Sequence, residues 1–233
     1  MSKYLFGIQP TGRIHLGNYL GGLKKAIELQ ENNEVEFLIA NLHALTAKTN
    51  DEISENISIL KEELKKLGVK TVKIQENQET RLAWEIMCST PVAEMERMTQ
   101  WKDKGKGNVG LLTYPCLMAA DIILSNPDYV IVGEDQTQHM EFYRKTCKRL
   151  NIKQAQTLQT ESPRIMSLTN PLKKMSKSEE KGCLFMFDNN SKKIKKAVTT
   201  EEGRKNLENI CKALGGEIKE GNKELKDEII KHI

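Results

Sequence analysis

The chain has 233 residues, 38% hydrophobic and 29% charged, with 36 basic residues against 32 acidic ones. That balance supports a packed core and excludes wholesale disorder; a net charge of +4 is compatible with a nucleotide or RNA partner without demanding one. Apolar runs such as Ile122-Ile123-Leu124 fall far short of the roughly 20 residues of a membrane span. No secretory h-region precedes Gly7-Ile8-Gln9-Pro10, so the expectation is a cytoplasmic protein with no membrane partner. Five cysteines, odd in number and without a Cys-x-x-Cys pair, predict reduced thiols and no metal site.

Tyr4–Ile8 is a short apolar run ending at Gln9-Pro10-Thr11-Gly12, a buried strand breaking into a turn. A helix is expected from Leu16 to Gln30 and a strand over Val35–Leu42. Asn50 reads as an N-cap, with Asp51 and Glu52 in the first turn. Ile53, Ile57, Leu60, Leu64 and Leu67 then form one apolar stripe, which Gly68 ends. Val69–Ile74 returns as a strand. Helices are expected over Glu79–Ser89, Val92–Trp101 and Leu111–Leu124, the last interrupted near Pro115. Lys102–Gly110 reads as a polar loop, Tyr129–Val132 as a strand and Asp135–Leu150 as a helix. Glu161–Gly182 is loop-like, and Ser191–Ile233 reads as short helices. Alternating strands and helices predict an α/β fold with a parallel sheet and helices on both faces, plus a short all-helical C-terminal segment.

Gly105-Lys106-Gly107-Asn108-Val109-Gly110 matches G-x-G-x-x-G, but no strand precedes it and no acidic residue follows in a second strand about 20 positions on. It reads as a polar loop. No G-x-x-x-x-G-K-[ST] occurs, which closes that route to ATP. Pro10-Thr11-Gly12-Arg13-Ile14-His15-Leu16-Gly17-Asn18 is a different matter. It lies at the carboxyl end of the first strand and feeds a helix N-terminus, where open α/β sheets bind anions. Gly12 and Gly17 let backbone approach a ligand, and His15 and Asn18 offer donors to phosphate oxygens. Far downstream, Lys173-Lys174-Met175-Ser176-Lys177-Ser178 places two lysines three apart among small hydroxyls, a clamp for a polyphosphate. It opens a stretch, Lys173 to Lys196, with eight lysines against the acids Glu179, Glu180 and Asp188.

The H-x-G-N turn and the Lys-Met-Ser-Lys-Ser loop together resemble the paired signature of class I aminoacyl-tRNA synthetases. Gly7–Gly12, Gly110-Leu-Leu-Thr-Tyr114-Pro115, Leu117-Met118-Ala-Ala-Asp121-Ile122, Gly133-Glu134-Asp135-Gln136 with Gln138-His139, and Arg164-Ile165-Met166-Ser167 are similar to the bacterial-type tryptophanyl-tRNA synthetases. The similarity runs from about Tyr4 to Thr199. It implies a Rossmann-like catalytic domain, a ligase that forms tryptophanyl adenylate from L-tryptophan and ATP with Mg²⁺, and transfer to tRNA(Trp) by a homodimer. On the resemblance, the ATP-activation domain spans residues 1–187, and 188–233 is part of the anticodon-binding region. Only 55 residues follow Ser178, so a short or truncated C-terminal helical region is expected.

Carried over by position, Gln9, Pro10, Thr11, His15, Gly17, Asn18, Gly133, Glu134, Asp135 and Ile165 fall where the family contacts ATP, as do Lys174, Met175, Ser176, Lys177 and Ser178. Lys104, Lys174 and Lys177 are the implied catalytic cations. His43, Tyr114, Met118, Asp121 and Gln136 align with the tryptophan site, and Gln100 falls near it. Chemistry agrees for Asp121: indole has one N–H and no acceptor, so a selective pocket needs a fixed acceptor among apolar walls. The plainer alternative makes Asp121 a helix-surface acid. His139 is expected to be a structural hydrogen-bonder, and Trp84 and Trp101 packing residues. Two rival functions remain at this point: a tyrosine-activating relative, and a paralogue that binds nucleotide or tryptophan without charging tRNA.

Overall fold

The computed structural model describes residues 1–104, 107–160 and 165–233, with the side chains of residues 103 and 104 outside the description. Its sheet has five strands, β1 (Lys3–Ile8), β2 (Glu34–Ile39), β3 (Val72–Ile74), β4 (Tyr129–Val132) and β5 (Gln156–Gln159), all parallel in the order β3-β2-β1-β4-β5. The central strands bury Leu5, Phe6, Val35, Phe37, Leu38, Ile39, Val130, Ile131 and Val132, the near-continuous apolar pattern of strands covered on both faces. Register is tight: Lys3 to Ile8 pair with Glu34 to Ile39, and Tyr4 opposes and stacks on Tyr129 with ring centroids 5.0 Å apart. β5 is absent from the sequence reading. Its Gln-Thr-Leu-Gln run has no apolar pattern, and it holds its place by backbone pairing from Gln156 opposite Tyr129 to Gln159 opposite Val132.

The helices are α1 (Leu16–Asn18), α2 (Lys24–Leu29), α3 (Asn41–Ala44), α4 (Asn50–Lys66), α5 (Asn77–Cys88), α6 (Val92–Glu96), α7 (Thr99–Lys104), α8 (Val109–Ser125), α9 (Thr137–Leu150), α10 (Ser191–Lys195), α11 (Glu201–Leu214) and α12 (Asn222–His232). The single helix expected from Leu16 is broken, with a π turn over Tyr19–Leu23 between α1 and α2 and Gly22 off helical dihedrals. Thr49, not Asn50, caps α4. Its hydroxyl accepts from the Glu52 backbone N–H while the Glu52 carboxylate accepts from the Thr49 N–H, a reciprocal box. Ile53, Leu60 and Leu64 of the expected stripe are buried, and Gly68 takes the left-handed conformation after the helix (φ +87°). The expected break at Pro115 does not occur: α8 runs through it from an Asn108 cap to a left-handed Asn126.

Contacts divide the chain into two compact units, Met1–Thr11 with Lys25–Thr160, and Gly12–Lys24 with Glu161–Ile233. The first holds the sheet. Its core joins Leu5, Leu38 and Val130 to Ile86, Met95 and Met98, to Cys116, Ala119, Ala120 and Ile122 of α8, and to Met140, Phe142 and Tyr143 of α9. Trp101 packs on the edge of that core, whereas Trp84 is 66% exposed and is no packing residue. The second unit has its own core of Leu16, Ile165, Leu168, Met175, Leu184, Ile194, Leu207, Ile210, Leu225 and Ile229. Residues 165–187 share it with the C-terminal helices. All five cysteines are free, and no described helix is long and apolar enough to cross a membrane.

Candidate active site

Strand order reverses at β1, whose two neighbours are β2 and β4, and ligands of such sheets bind beyond the carboxyl ends of strands at that point. Gln9, Pro10 and Thr11 follow β1, in a turn closed by Thr11 N–H donating to the Gln9 carbonyl (2.9 Å). Gly133, Glu134, Asp135 and Gln136 follow the adjacent β4. The topology thus brings together two segments more than a hundred residues apart in sequence. A Cβ on Gly133 would lie 2.8 Å from Asp135 Oδ1, so glycine lets that carboxylate fold against the backbone. The Gln136 amide donates to Asp135 Oδ2 at 3.2 Å.

A buried polar cluster lies in the same unit. Asp121, on α8, is 6% exposed and is not a surface acid. His43 Nε2 lies 3.0 Å from its Oδ2, and the Gln75 amide donates to both oxygens at 2.7 and 2.9 Å. Those donors offset the several kcal/mol that an unpartnered buried carboxylate would cost. Tyr114 and Met118 lie seven and three positions before Asp121, on one helical face, and the Tyr114 ring meets His43 edge-on at 5.9 Å. The Tyr114 hydroxyl donates to Gln100 Oε1 (2.9 Å), so the 2.5 Å contact with His139 Nε2 makes that nitrogen a donor. Burial, together with the Asp135 charge, pushes the phenol pKa up, so it stays a donor. His139 has the structural hydrogen-bonding role expected of it.

The phosphate-type motifs lie in the second unit. His15 caps α1: its Nδ1 accepts the Asn18 backbone N–H (3.3 Å), and the Asn18 side chain accepts the His15 N–H (3.4 Å). A Cβ on Gly17 would sit 2.9 Å from the His15 ring, so the cap requires glycine there. Burial, then the charges of Lys177 and Lys174, lowers the His15 pKa to about 4. The ring is therefore neutral near pH 7, and with Nδ1 accepting, the proton sits on Nε2, a donor suited to an anion. His15 also bridges Phe185, with Leu16 N–H donating to Leu184 O (2.8 Å) and Met186 N–H to Ile14 O (3.0 Å).

Lys174 stands in a short antiparallel pairing with Met166, flanked by bonds from Ser167 N–H to Lys173 O (2.8 Å) and Met175 N–H to Ile165 O (3.0 Å). Ile165 and Met175 are buried and anchor the loop, while Lys174, Ser176 and Ser178 face solvent. Lys177 donates to the carbonyl of Gly12 (3.1 Å), which adopts φ +111° as only glycine does readily. His15, Gly17, Asn18, Ile165 and Lys174 to Ser178 are therefore one neighbourhood, though about 160 positions separate its halves.

A family model described as "tRNA synthetases class I (W and Y)" matches residues 1–229. The chain belongs to this family. It is an aminoacyl-tRNA ligase by class. The tryptophan--tRNA ligase of Caldanaerobacter subterraneus is 39% identical over 231 residues, covering 89% of this chain and 71% of that protein. The crystal structure of tryptophanyl-tRNA synthetase from Mycoplasma pneumoniae superposes with a TM-score of 0.88 at 32% identity, over 100% of this chain and 84% of that one. The Campylobacter jejuni enzyme complexed with ADP and tryptophan gives 0.80 at 28% identity, over 97% and 79%.

In this class I synthetase the Lys104 side chain lies outside the described residues, so its expected role has no geometry here. Gln75 was missed by the sequence reading, and one signal was available: a polar amide directly after the last apolar residue of β3, at the ligand-binding end of the sheet.

Proposed function

We propose that the chain activates L-tryptophan with ATP to tryptophanyl adenylate and passes it to tRNA(Trp). Asp121 carries the reading: a buried carboxylate held as a pure acceptor beside Tyr114 and Met118, the complement of a single indole N–H. The names of the relatives, tryptophan--tRNA ligases, support it. His43, Tyr114, Met118, Asp121 and Gln136, with Gln100, are the proposed tryptophan-binding residues. Those for ATP are Gln9, Pro10, Thr11, Gly133, Glu134 and Asp135 in the first unit, and His15, Gly17, Asn18, Ile165 and Lys174 to Ser178 in the second.

In the reaction a tryptophan carboxylate oxygen bonds to the α-phosphorus, and the bond to the bridging oxygen breaks, pyrophosphate leaving with the electron pair. No protein nucleophile is required. Alignment and cations on the developing charge supply the acceleration, the work proposed for Lys104, Lys174, Lys177 and the His15 Nε2–H. Mg²⁺ is proposed to be carried on the nucleotide's own phosphates, where it would neutralise their charge. Residues 188–233, helical in α10 to α12, are proposed as part of the anticodon-binding region, and a cytoplasmic homodimer completes the proposal. ATP–pyrophosphate exchange tests it: exchange is expected with tryptophan and not with tyrosine, and equal or greater exchange with tyrosine overturns it. Charging of a tRNA(Trp) transcript tests the transfer step.

A further inference from the structure

We infer that Gln75 is a positioning residue that sets the specificity of the amino-acid pocket by holding Asp121 as its acceptor. The inference rests on the reading that Asp121 meets the indole N–H. The sense of this hydrogen-bond chain is fixed from the backbone outward. The Leu42 N–H donates to Gln75 Oε1 at 2.9 Å, and because an N–H cannot accept, the amide oxygen must face Leu42. The amide nitrogen then faces Asp121 and spans both carboxylate oxygens at 2.7 and 2.9 Å. Gln75's own backbone N–H is tied to Asn41 Oδ1 (3.1 Å), so the residue is anchored to the start of α3 at two points. The His43 contact at 3.0 Å completes the set, and a carboxylate there places the His43 proton on Nε2.

Gln75 is 4% exposed, and His43 and Asp121 are each 6% exposed, so none of these bonds has water as an easy substitute. A carboxylate offers about four acceptor positions. Gln75 across both oxygens and His43 on one leave room for one more donor while preventing the group from turning. The pocket thus presents an acceptor of fixed direction, set by a residue that directly follows β3, a strand that none of the motifs follows. A site built to receive a hydrogen discriminates strongly against an isostere that lacks it.

The test compares exchange kinetics for tryptophan and for β-(3-benzothienyl)alanine, in which sulfur replaces the indole N–H. The protein should prefer tryptophan, and Gln75→Met should reduce that preference roughly tenfold through the tryptophan KM, leaving the KM for ATP and for the sulfur analogue unchanged. Gln75→Asn, an amide one methylene too short to span Leu42 and Asp121, should do the same, and it carries the test if Gln75→Met does not fold. Asp121→Asn runs in parallel. If Asp121→Asn abolishes the preference and the Gln75 variants keep it, the inference is overturned and the pocket reading stands. Loss spread equally over ATP, tryptophan and the analogue also overturns it, since a merely structural residue behaves so. No preference in the unaltered protein overturns the Asp121 reading and the inference with it.

Discussion

The Asp121 cluster and the Lys174–Ser178 turn handle charge in opposite ways. Asp121 is removed from water and met by donors from two other elements before any ligand arrives. Lys174 stands in solvent, and Lys177 rests on a backbone carbonyl that it can leave. A group of the first kind is part of the fold, so losing it damages binding and stability together. A group of the second kind costs the fold little and acts as charge develops, so its loss appears in rate.

Lys177→Ala gives the largest expected effect: kcat for adenylate formation falls on the order of 10²–10³-fold, the usual result of removing one charge-stabilising donor. Tryptophan affinity and thermal unfolding should be unchanged; parallel loss of all three would erase the contrast. Asp121→Ala should raise the tryptophan KM by about 10- to 100-fold and also lower the unfolding free energy by about 1–3 kcal/mol, because His43 and Gln75 lose their acceptor. A higher KM with unchanged stability would make Asp121 a group of the second kind.

His15 gives the smallest effect and sharpens the comparison, being a buried group beside the exposed lysines. Its pKa is about 4 folded against 6.5 unfolded, so the unfolded chain takes up the proton more readily between those values. Its contribution is complete above pH 6.5 and is lost as the pH falls through 4. The urea midpoint should drop between pH 7 and pH 5, and His15→Asn, which retains a capping side chain, should show a smaller drop.

The apolar stripe of α4 was legible because a helical periodicity is local. The reciprocal cap of His15 and Asn18 was not foreseen: the sequence reading makes both donors to phosphate, whereas His15 Nδ1 and Asn18 Oδ1 each accept the other's backbone N–H. The sheet was legible except where tertiary pairing alone makes a strand, as at β5. Pro115 was misread because a helix break is weighed against solvent, whereas α8 lies in a core with Cys116, Ala119 and Ala120 packed close. The pairing of Gln75 with Asp121 was missed for a similar reason: the two lie 46 positions apart, and the position of Gln75 after β3 was the one signal for it.

Asn206, on α11, makes one more long-range pairing, in the second unit. Its amide oxygen accepts the Met166 N–H and its amide nitrogen donates to the Met166 carbonyl, both at 2.9 Å. One side chain thereby imitates a neighbouring β-strand, sealing the open edge of the segment that pairs with Lys174. Of the side chains that fit this reach, only a carboxamide supplies donor and acceptor together in a planar pair; a carboxylate would face the carbonyl with repulsion, and leucine would leave both backbone groups dry. Helix α11 is thus stitched to the base of the loop by an amide plane, in addition to the core that Leu207 and Ile210 share with Ile165 and Met175.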